Sequence, residues 1–236
     1  MTPLMLVPGL MCDQTVWKDQ IQALSGIAHC QVADHGSLDS LPAMASAILK
    51  NAPPKFALAG HSMGGRVAFE IFRQAPERVE RVAIFDTRYQ PLASGAAGEQ
   101  EAAGRYWLLA KARSEGVRAM AAEWVQGMVH PDRRSDSALV AAILDMFERK
   151  SADIFEAQIR ALLNRPDASP LLQQIRVPAL ILCGREDAWS QPPAHEEMAA
   201  RIPSSKLVIV ERSGHMVTME RPDEVSAAMR AWLAGD

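Results

Sequence analysis

The chain has 236 residues and a formal net charge of −3, from 25 basic and 28 acidic side chains. This length suits one large domain or a domain with an inserted subdomain. A content of 48% hydrophobic and 22% charged residues argues against disorder, and the slightly acidic balance argues against a nucleic-acid partner. Three cysteines (Cys12, Cys30 and Cys183) cannot all pair within the chain, so we expect reduced thiols in a reducing compartment.

The apolar stretches fall short of the roughly 18 residues that a membrane-spanning helix needs. Residues 1–11 are apolar, but they lack a basic region and a small-residue cleavage site, and Pro8-Gly9 interrupts them early. They therefore predict a strand and a turn, not a signal peptide. We expect a cytoplasmic protein without a membrane partner, present as a monomer or homodimer.

Short apolar runs alternate with helical patterns in two blocks of the chain. In the first block, strand and helix alternate at residues 4–7, 16–24, 30–32, 41–50, 56–59, 64–74 and 82–85. In the second block, they alternate at residues 179–183, 193–201, 207–210 and 222–233. The strand runs are continuously apolar, which is typical of a parallel sheet that is covered on both faces. This order predicts a doubly wound, mainly parallel α/β sheet.

No strand pattern appears between residues 89 and 170. The region instead has four helical patterns, at residues 99–112, 117–129, 137–149 and 152–164. It is too long for a simple crossover between two strands. We therefore predict a core formed by residues 1–88 and 171–236, with residues 89–170 inserted as a helical cap over one edge of the sheet.

The sequence Gly60-His61-Ser62-Met63-Gly64 lies between a predicted strand and a predicted helix. This is the G-x-S-x-G pattern in the strand–turn–helix context that it requires, with glycines where a side chain would collide with the neighbouring strand and helix. Such a turn exposes the serine hydroxyl above the sheet. It predicts Ser62 as a nucleophile, and the alternative is a glycine-rich turn in which the serine only caps the helix.

A serine nucleophile needs a base, and the base needs an orienting acid. His215 follows the last predicted strand and is the base candidate. Glu186 and Asp187 both follow the preceding predicted strand, and Asp187 is favoured because it lies further into the loop. Asp86, directly after an earlier strand, is a third acid candidate that could simply cap the chain's exit from the sheet. All of these residues follow the carboxyl ends of strands, where open α/β sheets bind their ligands.

Backbone amides must also face the oxygen that gains charge during acyl transfer. Met63, the residue after the nucleophile, supplies one amide at a helix N-terminus. The turn Pro8-Gly9-Leu10 follows the first strand at the same edge of the sheet. It predicts the N–H of Leu10 as a second donor.

In combination, these motifs resemble the α/β-hydrolase superfamily over essentially the whole chain. The matching segments are the oxyanion loop, the nucleophile elbow, the acid turn, the histidine loop and the C-terminal segment, at residues 6–10, 60–64, 184–187, 214–215 and 220–222. The resemblance places the acid at Asp187 and implies six strands, without the two customary leading strands. The oxyanion loop commonly reads His-Gly and here reads Pro8-Gly9, which keeps the backbone donor but loses any side-chain role.

Ser62 distinguishes the chain from related haloalkane dehalogenases and epoxide hydrolases, which have a carboxylate at that position. The resemblance therefore implies a serine hydrolase that cleaves a small carboxylic ester, thioester or lactone through an acyl-enzyme. The sequence looks most like the small bacterial carboxylesterases that act on pimeloyl-carrier-protein methyl ester.

Two alternatives stay open. The segment 60–66 is similar to the elbow of the menaquinone-pathway 2-succinyl-6-hydroxy-2,4-cyclohexadiene-1-carboxylate synthase, in which an arginine at the position of Arg66 engages a substrate carboxylate. That synthase usually has tyrosine where this chain has His61. Other members of the superfamily are ligand receptors with slow or absent turnover.

Substrate contacts are predicted for five residues, namely Arg66, His61, Trp107, Trp124 and Trp189. The expected partner is a small-molecule ester. Neither a G-x-G-x-x-G nor a Walker loop is present, and the cluster His29, Cys30, Asp34 and His35 matches no common zinc spacing. The sequence therefore predicts no metal and no cofactor.

Overall fold

The computed structural model describes residues 1–235. Six strands form one sheet in the order β2-β1-β3-β4-β5-β6, and each neighbouring pair is parallel. The strands are β1 (Thr2–Val7), β2 (Ala28–Val32), β3 (Phe56–His61), β4 (Val79–Phe85), β5 (Ala179–Gly184) and β6 (Ser205–Val210). This confirms the predicted six-stranded parallel sheet.

The central and edge strands differ in burial. All six residues of both β3 and β5 are buried, as expected for apolar strands between two layers of helices. In the edge strand β2 only Ala28 is buried and the following residues alternate between exposed and partly buried, and most of the edge strand β6 is only partly buried. The predictions of residues 30–32 and 207–210 were too short because edge strands carry polar residues that interrupt the apolar run.

Eleven α-helices lie within residues 1–235, and six of them begin at a side-chain cap or at a proline. They are α1 (Lys18–Leu24), α2 (Leu41–Asn51), α3 (Met63–Gln74), α4 (Ala96–Glu115), α5 (Val117–Trp124), α6 (Ser137–Glu148), α7 (Ala152–Leu163), α8 (Ser169–Leu172), α9 (Pro192–Arg201), α10 (Val217–Glu220) and α11 (Pro222–Ala234). The side chains of Ser40, Asp136 and Ser151 accept hydrogen bonds from the first turns of α2, α6 and α7. The predicted helix at residues 117–129 was too long, since the chain continues beyond α5 as a 3₁₀ turn.

Helices α4 to α7 lie between β4 and β5, and we call residues 89–170 the helical insertion. Helix α4 packs against α5 and α7, and α5 also packs against α6. Their buried side chains, which include Leu109, Met120, Ile143 and Phe155, belong to the same hydrophobic cluster as the sheet. The four predicted helices are therefore present, while their assignment as a separate cap domain stays a prediction.

Within residues 1–235, no helix is long and apolar enough to cross a membrane. Cys12 and Cys183 are buried and Cys30 is partly buried, and all three are free thiols.

Candidate active site

The turn between β3 and α3 exposes Ser62. Its φ of 56° and ψ of −120° are strained for a residue with a side chain. A Cβ on Gly60 would overlap the carbonyl of Gly64, and a Cβ on Gly64 would overlap the carbonyl of Val7 at the end of β1. The turn can therefore close only with glycine at both positions, as the motif predicted.

Three predicted side chains meet at the carboxyl edge of the sheet. The Oγ of Ser62 lies 2.8 Å from Nε2 of His215. The other ring nitrogen of His215, Nδ1, lies 2.8 Å from Oδ2 of Asp187. Asp187 is 1% exposed and His215 is 6% exposed, so the carboxylate–imidazole contact is shielded from water. A hydroxyl, an imidazole and a carboxylate in this order can move a proton off the serine.

The loop after β5 fixes the carboxylate of Asp187. Its Oδ1 accepts hydrogen bonds from the amides of Trp189 at 2.8 Å and Ser190 at 2.9 Å, which leaves Oδ2 for His215. Burial alone would raise the pKa of Asp187. The charge and hydrogen bond of His215 and the two amides outweigh burial and lower the pKa below its usual value.

The other two acid candidates bind backbone amides instead of the imidazole. Glu186 accepts a hydrogen bond from the amide of Ser213 at 3.0 Å. Asp86 is fully buried, and its two oxygens accept from the amides of Gly184 at 2.9 Å and Val217 at 3.4 Å. Burial, and then the charge of Asp187, raise the pKa of Asp86 well above its usual value. Both residues therefore fix the backbone of neighbouring loops and do not contact the imidazole of His215.

The loop that carries His215 is anchored on both sides. The amide of His215 donates to the carbonyl of Met128 in the helical insertion at 2.6 Å. One oxygen of Glu220 accepts from the amides of Gly214 and Met216, and the other accepts from the amide of His130. The backbone around the imidazole is thus fixed by contacts from the insertion and from α10.

His61 lies behind the imidazole of His215, with ring centroids 5.4 Å apart. Burial, and then the proximity of His215, lower the pKa of His61 to about 3, so its ring is neutral at pH 7. Its Nε2 donates to the carbonyl of His215 at 2.8 Å. His61 borders the cavity but is only 1% exposed, and its role in substrate binding stays a prediction.

The two predicted amide donors lie beside the serine. Leu10 and Met63 both line the cavity above Ser62. Within residues 1–235, neither backbone amide has a protein acceptor. They are therefore available to a substrate oxygen, and their role as an oxyanion hole stays a prediction.

A cavity of about 1220 Å³ opens above Ser62. One part of its wall is aromatic: the ring of Trp124 lies 5.5 Å from those of Phe147 and Phe155 and 5.8 Å from that of Trp189. Trp189 also meets the ring of His215 edge-on at 4.8 Å. This part can hold an apolar group next to the serine.

Another part of the wall is cationic. It carries four guanidinium groups and one carboxylate, from Arg66, Arg88, Arg105, Arg165 and Glu101. The carboxylate of Glu101 is shared by Arg165 at 2.7 and 2.8 Å and by Arg105 at 2.9 Å. Arg66 instead donates to the carbonyl of Gln90 at 2.8 Å. Burial, and then the charge of Arg165, lower the pKa of Arg66 to about 9.

Of the predicted substrate contacts, Arg66, Trp107, Trp124 and Trp189 all border this cavity. Glu101, Arg165, Phe147 and Phe155 were not predicted, because no local motif marks a residue that meets its partners across the fold. Gln158 was not predicted either, although a polar residue on the apolar face of α7 was a usable signal. No group of three or more His, Cys, Asp or Glu side chains in the described part of the chain is arranged to hold a metal ion.

The sequence model of the alpha/beta hydrolase family matches residues 5–228. The match covers most of the chain, and the parallel sheet and the elbow at Ser62 agree with it. The chain therefore belongs to the alpha/beta hydrolase family, as the motifs predicted.

Curated relatives include two enzymes with different chemistry. The chain is 30% identical over 209 residues to the 2-succinyl-6-hydroxy-2,4-cyclohexadiene-1-carboxylate synthase of Serratia proteamaculans, over 84% of this chain and 75% of that one. It is 25% identical over 236 residues to the pimeloyl-[acyl-carrier protein] methyl ester esterase of Nitrosomonas europaea, over 94% and 91% of the two chains. The chain spans only 60% and 63% of the length of two further relatives, from Haemophilus influenzae and Pseudomonas putida.

Among solved structures, a thermophilic esterase from Thermogutta terrifontis with malate bound superposes with a TM-score of 0.86. The two chains are 29% identical, and the match covers 100% of this chain and 90% of the other.

Proposed function

We propose that the protein is a serine hydrolase of carboxylic esters in which Ser62, His215 and Asp187 form the catalytic triad. The observation that carries the proposal is the continuous chain of 2.8 Å contacts from Oγ of Ser62 through both nitrogens of His215 to Oδ2 of Asp187. Relatives named as esterases support the same reaction class.

In this mechanism, His215 takes the hydroxyl proton as Oγ of Ser62 attacks the ester carbonyl. The carbonyl electron pair moves to the oxygen, which accepts hydrogen bonds from the amides of Leu10 and Met63. The intermediate collapses, the bond to the alcohol breaks, and His215 gives the proton to the departing alcohol. Water, activated by His215, then hydrolyses the acyl-enzyme. Asp187 holds the imidazole orientation and stabilises its charged form throughout.

The cavity supports a substrate class within this reaction. The aromatic wall beside Ser62 suits an apolar segment, and the cationic part suits a carboxylate or another anion. We therefore propose an ester that carries a distal anionic group, with the helical insertion serving as a cap that supplies most of both walls. The malate bound to the Thermogutta terrifontis esterase is a small dicarboxylate of compatible charge.

The test is hydrolysis of p-nitrophenyl esters from acetyl to long acyl chains by the wild type and by Ser62→Ala. We expect wild-type turnover and a loss of at least about 10⁴-fold in kcat for Ser62→Ala. A p-nitrophenyl monoester of a dicarboxylic acid should have a higher kcat/KM than the neutral ester of equal length. Equal turnover by Ser62→Ala would contradict the nucleophile, and the absence of wild-type turnover would favour a lyase or a ligand receptor.

A second candidate is a lyase in which the same triad abstracts a proton from a carboxylate-rich substrate. The observation that favours it is Arg66, which the synthase resemblance assigns to a substrate carboxylate and which faces the cavity here. Incubation with the synthase's substrate separates the two functions. Elimination of pyruvate that is lost in both Ser62→Ala and Arg66→Met, with no ester turnover, would establish the lyase.

A further inference from the structure

The turn that presents Leu10 has a strained residue at its third position. The amide of Cys12 donates to the carbonyl of Gly9 at 3.1 Å, which closes a β-turn over residues 9–12. Met11 has a φ of 62°, the sign that a type II turn requires at this position. A residue with a side chain adopts such a φ only where surrounding contacts hold it.

A buried side chain of the helical insertion supplies such a contact. Gln158 lies on α7 and is 2% exposed. Its Oε1 accepts a hydrogen bond from the amide of Met11 at 2.9 Å, and its Nε2 donates to the carbonyl of Gly36 at 3.3 Å. One glutamine thus joins the insertion to two loops at the carboxyl edge of the sheet.

The N–H of Met11, which donates its hydrogen bond to Gln158, belongs to the central peptide of the turn, the one that joins Leu10 and Met11. Type I and type II turns differ by a rotation of this peptide through about half a turn, so an acceptor facing the N–H of Met11 favours the type II form. The carbonyl of the same peptide, on Leu10, lies 3.5 Å from Sγ of Cys12. Rotation would exchange the two groups and change ψ of Leu10 and φ of Met11, the torsions on either side of this peptide.

We propose that Gln158 is a positioning residue that holds the 9–12 turn in the form that presents the Leu10 amide to the substrate oxyanion. It does not touch the substrate, and it acts through Met11. The inference rests on the proposed function, because it assigns Leu10 to the oxyanion hole of an acyl-transfer reaction. It also makes the geometry of that hole depend on the helical insertion.

The experiment compares Gln158→Met with Gln158→Glu in ester hydrolysis. Methionine has a similar shape but leaves the Met11 amide without an acceptor. We expect kcat to fall by about tenfold, less than the loss of a complete oxyanion donor, with KM within about twofold. Glutamate keeps an oxygen for the Met11 amide in either protonation state and should restore kcat to within about threefold of wild type. Its buried carboxylate should nevertheless lower the thermal midpoint more than methionine does.

The matched control is Arg149→Met. Arg149 also reaches from the insertion to this segment, where it binds Oδ2 of Asp13 and Oγ1 of Thr15, both at 2.7 Å, but it is exposed and does not contact the turn. Its kcat should stay within about twofold of wild type, as for an exposed ion pair.

Affinity for an alkyl trifluoromethyl ketone gives a second readout. Its adduct with Ser62 carries a tetrahedral oxyanion, so Gln158→Met should weaken inhibition by the same factor as kcat. An unchanged kcat in Gln158→Met would overturn the role of Gln158. So would a kcat loss that is larger in Gln158→Glu than in Gln158→Met and follows the loss of thermal stability. Neither result would affect the proposed function. A wild type without Ser62-dependent hydrolysis would overturn the proposed function as well.

Discussion

The loops at the carboxyl edge of the sheet and the helical insertion contribute differently to the cavity. The loops set Ser62, His215 and Asp187 through the backbone, by a strained turn and by amides that fix a carboxylate. The insertion contributes side chains such as Trp124 and Arg165, and each of them contacts residues on helices of the insertion. In the proposed mechanism, the reaction therefore depends on the path of the backbone, whereas the choice of substrate depends on side chains that can change without altering the sheet.

The loop after β5 should be the part of the site most sensitive to substitution. Asp187→Asn should lower kcat by about 10⁴-fold with little change in KM, because the amide cannot stabilise the charged imidazole and favours the wrong tautomer. The neighbouring Glu186→Gln is the matched control and should lower kcat by less than about tenfold, since Glu186 contacts the Ser213 amide and not the imidazole. Steady-state kinetics of both variants on one ester check this, and equal losses would mean that the acid is misassigned.

Arg66 lies on α3, beside the sheet, but it is close to the arginines of the insertion. Its substitution therefore tests whether substrate selectivity can change while the chemistry at Ser62 is kept. Arg66→Met should lower kcat/KM for an anionic ester by about 10- to 100-fold, the value of a hydrogen-bonded ion contact. Activity on a neutral ester of equal length should change by less than about threefold.

Arg118→Met controls for the loss of a positive charge. Arg118 pairs with Asp145 and Glu148 on the outside of the insertion and is 46% exposed. Its selectivity should match wild type. An equal effect of Arg66→Met on anionic and neutral esters would argue against an anion site.

Trp124 tests the apolar wall. Trp124→Ala removes the ring that contacts Phe147, Phe155 and Trp189, which enlarges the cavity beside Ser62. We expect the preferred acyl chain to become longer, with a change of about 3- to 10-fold in the ratio of kcat/KM for long and short esters. An unchanged ratio across the acyl series would place the acyl group elsewhere in the cavity.

The smallest effect concerns stability. Burial would raise the pKa of Glu101, but Arg165 and Arg105 lower it to about 2. Because the folded-state pKa lies below the ordinary value of 4.5, the carboxylate stabilises the fold above about pH 4.5 and loses this contribution as pH falls toward 2. Glu101→Gln should therefore cost about 1–3 kcal/mol between about pH 7 and pH 4.5, and progressively less as pH falls from there to about 3. Urea unfolding at several pH values checks this, and a cost that does not vary with pH would contradict the ion-pair origin.

The difference between the loops of the sheet and the helical insertion also explains what could be predicted from the sequence. Gly60 and Gly64 are required by contacts within a few residues of Ser62 and with β1, so the elbow leaves a local pattern. The parallel strands likewise leave apolar runs, except at the edges of the sheet. Arg165 meets Glu101 across 64 residues and Gln158 meets Met11 across 147, and neither contact imposes a pattern on nearby sequence. The meeting of Ser62, His215 and Asp187 was therefore predictable, whereas the walls of the cavity and the contact that supports the 9–12 turn required the structure.

Trapping the acyl-enzyme tests the assignment of Ser62 as the nucleophile. The wild type and Ser62→Ala would be mixed with p-nitrophenyl acetate, quenched in acid within the first turnovers, and analysed by intact-mass and peptide mass spectrometry. We predict one acetyl group on the peptide that contains Ser62 in the wild type, and none on the matching peptide of Ser62→Ala. Continued hydrolysis with no adduct on that peptide, or an adduct that persists in Ser62→Ala, would contradict Ser62 as the nucleophile.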